Sequence, residues 1–361
     1  MPGILGEASC RYGIILVLAA IPRVCCALRW PFAMAASKKG INAARLKTIF
    51  DRQDQPRWFA DYIPSILATP QEAPSISRAS VLASGKFRRG IHLLSLPERS
   101  AAILALYCPW LVELHEQKMI SPGPREHPSA GFPGVVASGL LPIKGLIDVA
   151  ERLGYLHLLP RLGIPDPEDP SNSRIVVFPY IGDLLLFMQP CRNRQPYCKN
   201  WTIKDTEVAF KRPGPTSTKR SRRQEPTEII LARHQIEEVY YADAVIGTQR
   251  VAGDQIDGHV AANLAQLFGY HRRGVTIPVT QQEDIREKYR AAMESGIPPL
   301  EVVLLLCAQG KVSSHDCRTI LFRAIWQREL RVDLFEPVLI NYPLKLETRD
   351  VLDVYADWFR E

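Results

Sequence analysis

Three charged residues stand out because each lies in or beside a stretch that otherwise has the pattern of buried secondary structure. Glu98 follows Ser95 by three positions at the start of an apolar helix, Asp183 opens the stretch DLLLF, and Lys204 lies within NWTIKD. Carboxylates hold divalent cations, and a lysine can orient a water or offset negative charge during phosphodiester hydrolysis. If the fold brings the three together, they predict a catalytic site in which Glu98 and Asp183 bind Mg²⁺, or Mn²⁺ in its place, and Lys204 assists.

The strand that carries Lys204 decides which neighbours can join this site. Side chains alternate along a strand, so Asn200, Thr202 and Lys204 share one face while Asp205 points the other way. We therefore expect Thr202 to be the third metal ligand, although a neutral hydroxyl binds Mg²⁺ less well than a carboxylate or an amide oxygen. Asn200 and Glu116 are alternative oxygen donors.

Each of the three residues also has a purely structural interpretation. Ser95 and Glu98 have the spacing of a capping box, in which the two side chains satisfy the first N–H groups of a helix. Asp183 after Gly182 fits a turn, and a lone lysine on a strand is commonly there to prevent edge-to-edge pairing. The residues alone leave these alternatives open.

The elements that must position these residues form an α/β pattern. A helix opened by Ser95 and a strand around LVELHEQKMI are followed, after a long Pro- and Gly-rich segment, by two β-branched strands, a helix, a strand and a helix. We expect a mixed α/β domain over 81–274 in which 121–174 is a surface insertion. Residues 34–80 precede it as a helical and linker region.

A basic segment interrupts this domain at 211–226. It carries six basic residues among Pro, Gly, Ser and Thr, a composition typical of a loop that cannot form a core of its own. The residues expected to bind DNA phosphates there are Lys211, Arg212, Lys219, Arg220, Arg222 and Arg223.

The C-terminal region has a different pattern. Three helical stretches followed by ELRVDL predict a winged helix-turn-helix-like domain over 281–361. Its third helix, 314–328, would present Arg318 and Arg323 to DNA. Alternatively, this helix packs on the first domain or on a protein partner.

Composition limits the class of protein. The chain has 361 residues and a formal net charge of +7, which favours polyanionic partners only weakly. Its eight cysteines show no CxxC pair and no zinc-type spacing, so we expect reduced thiols in a cytoplasmic protein. The absence of P-loop, GxSxG and GxGxxG motifs counts against nucleotide-binding and esterase classes.

The N-terminus contains a short apolar run, GIILVLAAI, that is too short for a membrane span but similar to the core of a secretory signal. A second methionine, Met34, opens a polar stretch that leads into a helical pattern. We interpret 1–33 as an over-extended start, disordered or absent in the cell, and expect no membrane association.

Taken as an ordered set, several stretches resemble the TnsA-like endonuclease subunit of heteromeric transposases, within the PD-(D/E)XK nuclease superfamily. These stretches are GIHLLSLPER, LHEQ, IGDLLLF, NWTIKD, EEVYYADAVIGT and the helical C-terminal region, covering most of 57–350. The resemblance implies a restriction-endonuclease-like mixed sheet with a catalytic Glu on a helix, an Asp on the middle strand, and a Glu or Gln two residues before a catalytic Lys. Glu98, Asp183 and Lys204 match these positions, and Thr202 departs from them.

The function implied by the resemblance is Mg²⁺-dependent cutting of DNA at the 5′ ends of a transposon. The implied partners are the transposon ends, a DDE-type transposase subunit that cuts the 3′ ends, and an AAA+ ATPase regulator. Because Thr202 is a weak metal ligand, a second expectation is a catalytically decayed DNA-binding and assembly factor of the same complex.

Overall fold

The computed structural model describes residues 40–75, 77–166, 169, 171–190, 194–211, 227–310 and 312–361. The N-terminal segment 1–33 lies outside the described residues. So does the basic loop after Lys211, which contains Arg212, Lys219, Arg220, Arg222 and Arg223.

The described chain contains ten strands and ten α-helices. The strands are β1 (Ser80–Ser84), β2 (Arg89–Leu93), β3 (Leu111–Glu116), β4 (Met119–Ile120), β5 (Arg161–Pro165), β6 (Ser173–Val177), β7 (Tyr180–Ile181), β8 (Leu184–Met188), β9 (Tyr197–Lys204) and β10 (Gly247–Ala252). The helices are α1 (Ala43–Gln53), α2 (Leu96–Tyr107), α3 (Leu146–Arg152), α4 (Thr227–Ala242), α5 (Gly258–Phe268), α6 (Val279–Glu294), α7 (Pro299–Ala308), α8 (Ser314–Trp326), α9 (Val351–Val354) and α10 (Ala356–Phe359). The expectation of a mixed α/β fold is confirmed.

A four-stranded mixed sheet in the order β10-β9-β8-β3 lies at the centre. Strands β3, β8 and β9 pair antiparallel, whereas β10 pairs parallel to β9. The start of β8 therefore lies at the same edge as the ends of β3, β9 and β10. All five residues of β8 are buried, as is typical of a strand covered on both faces.

One face of the sheet packs against α2. Leu184 and Leu186 of β8, together with Trp201 of β9, share a hydrophobic cluster with the apolar side chains of α2 and α5. Ser95 caps α2 as predicted, since its hydroxyl accepts from Glu98 N at 3.3 Å. Pro97 lies in the first turn, where its missing N–H costs nothing.

The other face packs against α4 and α3. Leu185 and Phe187 of β8 contact Ile236 and Tyr240 of α4, and Leu146 of α3 belongs to the same cluster. The Pro- and Gly-rich composition of 121–174 indicated a surface segment. This expectation is wrong for the part around α3. Helix α3 and the residues beside it complete the core on this face.

The C-terminal helices share the hydrophobic core of the α2 face. Tyr197 Oη donates to the Phe359 carbonyl at 2.6 Å, and Trp201 Nε1 donates to the Trp358 carbonyl at 2.8 Å. In α8, eight of the 13 residues are buried. The strand pair expected after this helix is a single antiparallel bridge between Val332 and Leu346.

No helix among the described residues is long and apolar enough to cross a lipid bilayer.

Candidate active site

Asp183 lies at the edge of the sheet, between the ends of two neighbouring strands. Its carbonyl accepts from Gln117 N at 3.0 Å, directly after β3. Leu184 pairs with Trp201 across β8 and β9, so the register places Asp183 opposite Thr202. Asp183 Oδ2 accepts from Ile203 N at 2.6 Å, which fixes the carboxylate at this edge.

Glu98 reaches the same edge from the first turn of α2. Its Oε2 accepts from Leu94 N and from Gln117 Nε2, both at 2.9 Å, and its Oε1 accepts from Ser95 Oγ at 2.9 Å. The capping interpretation is therefore correct for Glu98, but it does not account for the hydrogen bond from Gln117. The hydrogen bond from Gln117 Nε2 also connects Glu98 to Asp183, because the backbone N–H of Gln117 donates to the Asp183 carbonyl.

The start of α2 also contacts the ends of β9 and β10. A Cβ added at Gly253, directly after β10, would lie 3.1 Å from Pro97 Cβ and 3.2 Å from the Asp205 carbonyl oxygen. A larger residue here would require Pro97 or the strand ends to move by a few tenths of an ångström. This close approach brings Glu98 and Lys204 to one corner of the molecule.

A further carboxylate, Glu237, joins the site from α4. Its Oε1 accepts from Asn200 Nδ2 at 2.9 Å, and a Cβ added at Gly182 would lie 3.6 Å from the same oxygen. Glu237 was not among the site residues expected from the sequence. One signal was present, because Glu237 lies four residues before Tyr241 and so shares the face of α4 that packs on the sheet.

The pKa values of Glu98 and Glu237 both depend on the charge of Asp183. Burial and then the charge of Asp183 raise the pKa of Glu98 to about 7, and Lys204 opposes the rise. The same two causes, in the same order, raise the pKa of Glu237 to about 7, while the hydrogen bond from Asn200 lowers it. Asp183 is thus the shared negative neighbour of two buried glutamates.

Two cations act on this cluster, Lys204 and Arg233, and Arg233 lowers the pKa of Glu237. Lys204 is the one that acts on both glutamates. Among the described residues it makes no ion pair or hydrogen bond, yet its charge lowers the pKa values of both Glu98 and Glu237. It also contributes, after burial, to lowering the pKa of His234 to about 3, so that this imidazole is neutral. The ammonium group is therefore available to a ligand or a water.

The other expected oxygen donors differ in availability. Thr202 is buried opposite Asp183. The Asn200 amide nitrogen is used by Glu237 and Thr248, and its Oδ1 is buried without a hydrogen-bond partner.

Glu116 is not available as a metal ligand, which corrects the alternative raised from the sequence. Arg89 Nη1 lies 2.8 Å from both of its carboxylate oxygens, and His92 N donates to Oε1 at 3.0 Å. Glu116 belongs to a separate buried ion pair on the α2 face.

The residues fit a weakly chelated Mg²⁺ rather than an all-protein cage. No three His, Cys, Asp or Glu side chains in the described part of the chain form a group that could hold a metal ion. Mg²⁺ is usually held by one or two carboxylates and several waters, and Asp183 Oδ1 has no partner among the described residues. Asp183 with Glu98 or Glu237, assisted by Thr202, meets that requirement.

The expected DNA-binding residues lie in different places. Lys211 is exposed, directly after a short 3₁₀ helix at Glu207–Phe210, and lines a cavity with Arg250 of β10. On α8, Arg318 is exposed, whereas Arg323 Nη2 donates to the Arg273 carbonyl.

No family model matches the chain, and no curated protein matches it significantly. The resemblance to TnsA-like nucleases therefore remains an expectation from the sequence stretches alone.

Proposed function

We propose that this protein is a metal-dependent DNA endonuclease that hydrolyses phosphodiester bonds at the sheet edge carrying Asp183. The observation that carries the proposal is the convergence of Glu98, Asp183 and Lys204, which are distant in sequence, at one corner of the fold. Structural roles alone would not require two carboxylates and an unpaired lysine to meet there.

The charge balance of the site supports a cationic ligand. The charge of Asp183 adds to burial in destabilising the ionised forms of Glu98 and Glu237, and among the described residues Lys204 is not ion-paired with any of the three. Bound at Asp183 with Glu98 or Glu237, Mg²⁺ would polarise the phosphate and lower the pKa of a bound water.

The chain's own residues divide the remaining work. The hydrogen bond from Ile203 N holds Asp183 at the sheet edge, and the bond from Gln117 holds Glu98 towards it. Lys204 would offset the negative charge that develops on the phosphate or orient the attacking water. Thr202 would supply a hydroxyl beside Asp183.

The narrower proposal follows the TnsA-like resemblance. In it, the protein nicks the 5′ ends of a transposon in the cytoplasm, beside a DDE-type transposase that cuts the 3′ ends and an AAA+ ATPase that regulates the complex. The order of helix, Asp at the start of the middle strand, and Lys near the end of the next strand supports this assignment. Lys211 and Arg318, both exposed, are the described members of the expected DNA-binding set best placed to contact phosphates.

A second function is favoured by two particular observations. Thr202 stands where a stronger ligand is expected, and Glu98 already accepts three hydrogen bonds. A catalytically decayed assembly factor that binds DNA would retain the same fold with this weakened ligand set. In a winged-helix arrangement, its C-terminal helices would supply contacts to DNA or to a partner.

The deciding experiment is strand cleavage at a labelled transposon end with Mg²⁺, the cognate transposase and the ATPase. We expect 5′ nicks from wild type that disappear in Asp183→Ala and Lys204→Ala. The matched control is Asp205→Ala, because Asp205 is an exposed carboxylate one residue beyond the end of β9. If wild type and both site variants support the same 3′ cutting without 5′ nicks, the assembly-factor function replaces the nuclease.

A further inference from the structure

A cavity of about 290 Å³ lies beside the candidate site, between the loop after α1, the connection after β3 and helix α4. Its walls include Trp58, His115 and Tyr240, and its polar groups include Lys118, Ser121 and Arg125. We call it the Lys118 pocket. Its volume lies close to the lower end of the range typical of small-molecule sites.

Two lining charges of this pocket have no ion pair among the described residues: Lys118, which is largely buried, and Glu126, which is exposed. Arg125 pairs with Asp54 at 2.7 Å, and its Nε also donates to Ser121 Oγ at 3.2 Å. Lys118 has no ion pair or hydrogen bond with a described side chain, and its Nζ lies 5.7 Å from the centroid of the Tyr62 ring.

The buried, unpaired Lys118 favours an anion inside the pocket. Burial and the nearby charge of Arg125 lower the pKa of Lys118 to about 8, so the amine is still protonated at neutral pH. Retaining such a cation without a partner is unfavourable, and a charge-assisted hydrogen bond to a phosphate oxygen would remove that cost. His115 is neutral because burial lowers its pKa well below the usual value, so its ring contributes no positive charge to the pocket.

The pocket and the candidate site are linked through two consecutive residues. Gln117 donates its side-chain amide to Glu98, and the next carbonyl, that of Lys118, accepts from Gly182 N at 2.8 Å. Gly182 precedes Asp183. A nucleic-acid strand lying along this edge carries a phosphate at every nucleotide, so one bound near Asp183 presents further phosphates to the neighbouring surface.

We propose that the Lys118 pocket binds a phosphate group of a nucleotide, with Lys118 Nζ donating to the phosphate oxygens. This inference rests on the proposed nuclease function and defines a phosphate subsite for its substrate. The phosphate can belong to the bound DNA strand or to a free mononucleotide, and the two sources give different results below.

The first test measures binding of a labelled single-stranded oligonucleotide by fluorescence anisotropy, without Mg²⁺, across a salt series. Lys118→Met is expected to weaken binding about tenfold for every sequence and to reduce the slope of log affinity against log salt by about one. Lys47→Met is the control, because Lys47 is exposed on α1 and pairs with Asp51. Equal affinity and equal slope for Lys118→Met and wild type would overturn the inference.

A second variant tests the cavity without removing the charge. Gln55 lies at the exposed rim of the pocket, so Gln55→Trp is expected to obstruct entry while Lys118 and its surroundings remain in place. It should weaken oligonucleotide binding as Lys118→Met does. Wild-type binding by a folded Gln55→Trp protein would count against the cavity as the binding site.

Calorimetry with dAMP and with inorganic phosphate separates the two sources. Binding heat that disappears in Lys118→Met identifies a free nucleotide or phosphate as an occupant, whereas an effect confined to the oligonucleotide identifies a strand phosphate.

The cleavage assay separates this inference from the proposed function. If DNA binding needs Lys118 but no strand is cut, only the nuclease proposal fails; if Lys118→Met binds and cuts like wild type, only the pocket inference fails.

Discussion

Two clusters of buried carboxylates lie at the end of the same strand, β3, and they differ in how their charge is balanced. Glu113 and Glu116 face Arg89, which lies 3.6 Å from the first and 2.8 Å from the second. Glu98 and Glu237 instead face Asp183, whose charge adds to the effect of burial. The first cluster contains its own counter-charge, and the second leaves Lys204 as an unpaired cation nearby.

This difference separates a structural role from a functional one. Buried ion pairs with satisfied hydrogen bonds hold elements together, and the Arg89 cluster joins β2 to β3. Glutamates whose pKa is raised by a neighbouring negative charge, as those of Glu98 and Glu237 are by Asp183, carry an unfavourable energy in the free protein, a property that is common at active sites. A buried glutamate therefore indicates a structural role beside a cation and a functional role beside another carboxylate.

The largest expected effect is loss of the fold when the balanced cluster is broken. Arg89→Met leaves Glu113 and Glu116 buried without their cation, so the free energy of unfolding should fall by about 3–5 kcal/mol. Denaturant unfolding measures this value. Arg88→Met is the control, because Arg88 is exposed and adjacent, and an equal loss in both variants would remove the special role of Arg89.

Removing the shared charge of the other cluster should have opposite effects on activity and on stability. Asp183→Asn keeps the acceptor for Ile203 N and removes the charge beside Glu98 and Glu237. We expect cleavage to fall by about 10²–10³-fold, and the free energy of unfolding at pH 8 to rise by about 1 kcal/mol.

Cleavage assays and denaturant unfolding of the same preparation test both parts. Asp205→Asn should change neither quantity, because Asp205 is exposed beyond the strand end. A variant of Asp183 that is both inactive and less stable would place Asp183 among the structural residues, with the Arg89 cluster.

Glu98, Asp183 and Lys204 were singled out from the sequence because a charged residue in an apolar stretch is conspicuous. That they lie close together was only a condition at that point, since it depends on the register of β8 and β9 and on how α2 packs against the sheet. Glu237 was missed because a glutamate on a long helix is ordinary, and only tertiary packing shows that it faces the sheet.

The errors in the fold prediction also arise because tertiary packing cannot be seen in the sequence. The segment 121–174 was expected at the surface because Pro and Gly are frequent in loops, yet Ile143, Leu146 and Val149 fill the core beside α4. The four apolar side chains of the short helix α3 do not show from sequence alone which face of the sheet the helix packs against. Glu116 could not be excluded either, because its partner Arg89 is 27 residues away.

A smaller effect is expected from Glu237, which approaches the site from α4. Glu237→Gln retains an acceptor for Asn200 Nδ2 and removes one charge beside Asp183. Cleavage should fall by about 10–100-fold, as is typical of residues that support a metal site. Glu238→Gln is the control, since Glu238 pairs with Arg250 at 2.7 Å on the outer side of α4; equal activity in the two variants would exclude Glu237 from the site.

The smallest expected effect is a change in how stability depends on pH. Glu98 and Glu237 have pKa values of about 7 in the folded protein against an ordinary value of 4.5. Between these values the folded state binds more protons than the unfolded state, so stability should fall as pH rises from about 4.5 to about 7. Glu116, with a pKa of about 7 caused by burial, contributes in the same direction.

Asp183→Asn distinguishes the two clusters within this pH window. Without the charge of Asp183, the pKa values of Glu98 and Glu237 should move towards 4.5, and the fall in Tm between pH 5 and pH 8 should become shallower. The contribution of Glu116 should remain, because Arg89 and burial set its pKa and Asp183 does not. Scanning calorimetry of wild type and variant at matched ionic strength measures the difference. Parallel curves would mean that Asp183 does not act on the two glutamates, and the contrast between the clusters would then reduce to the presence of Arg89 in one of them.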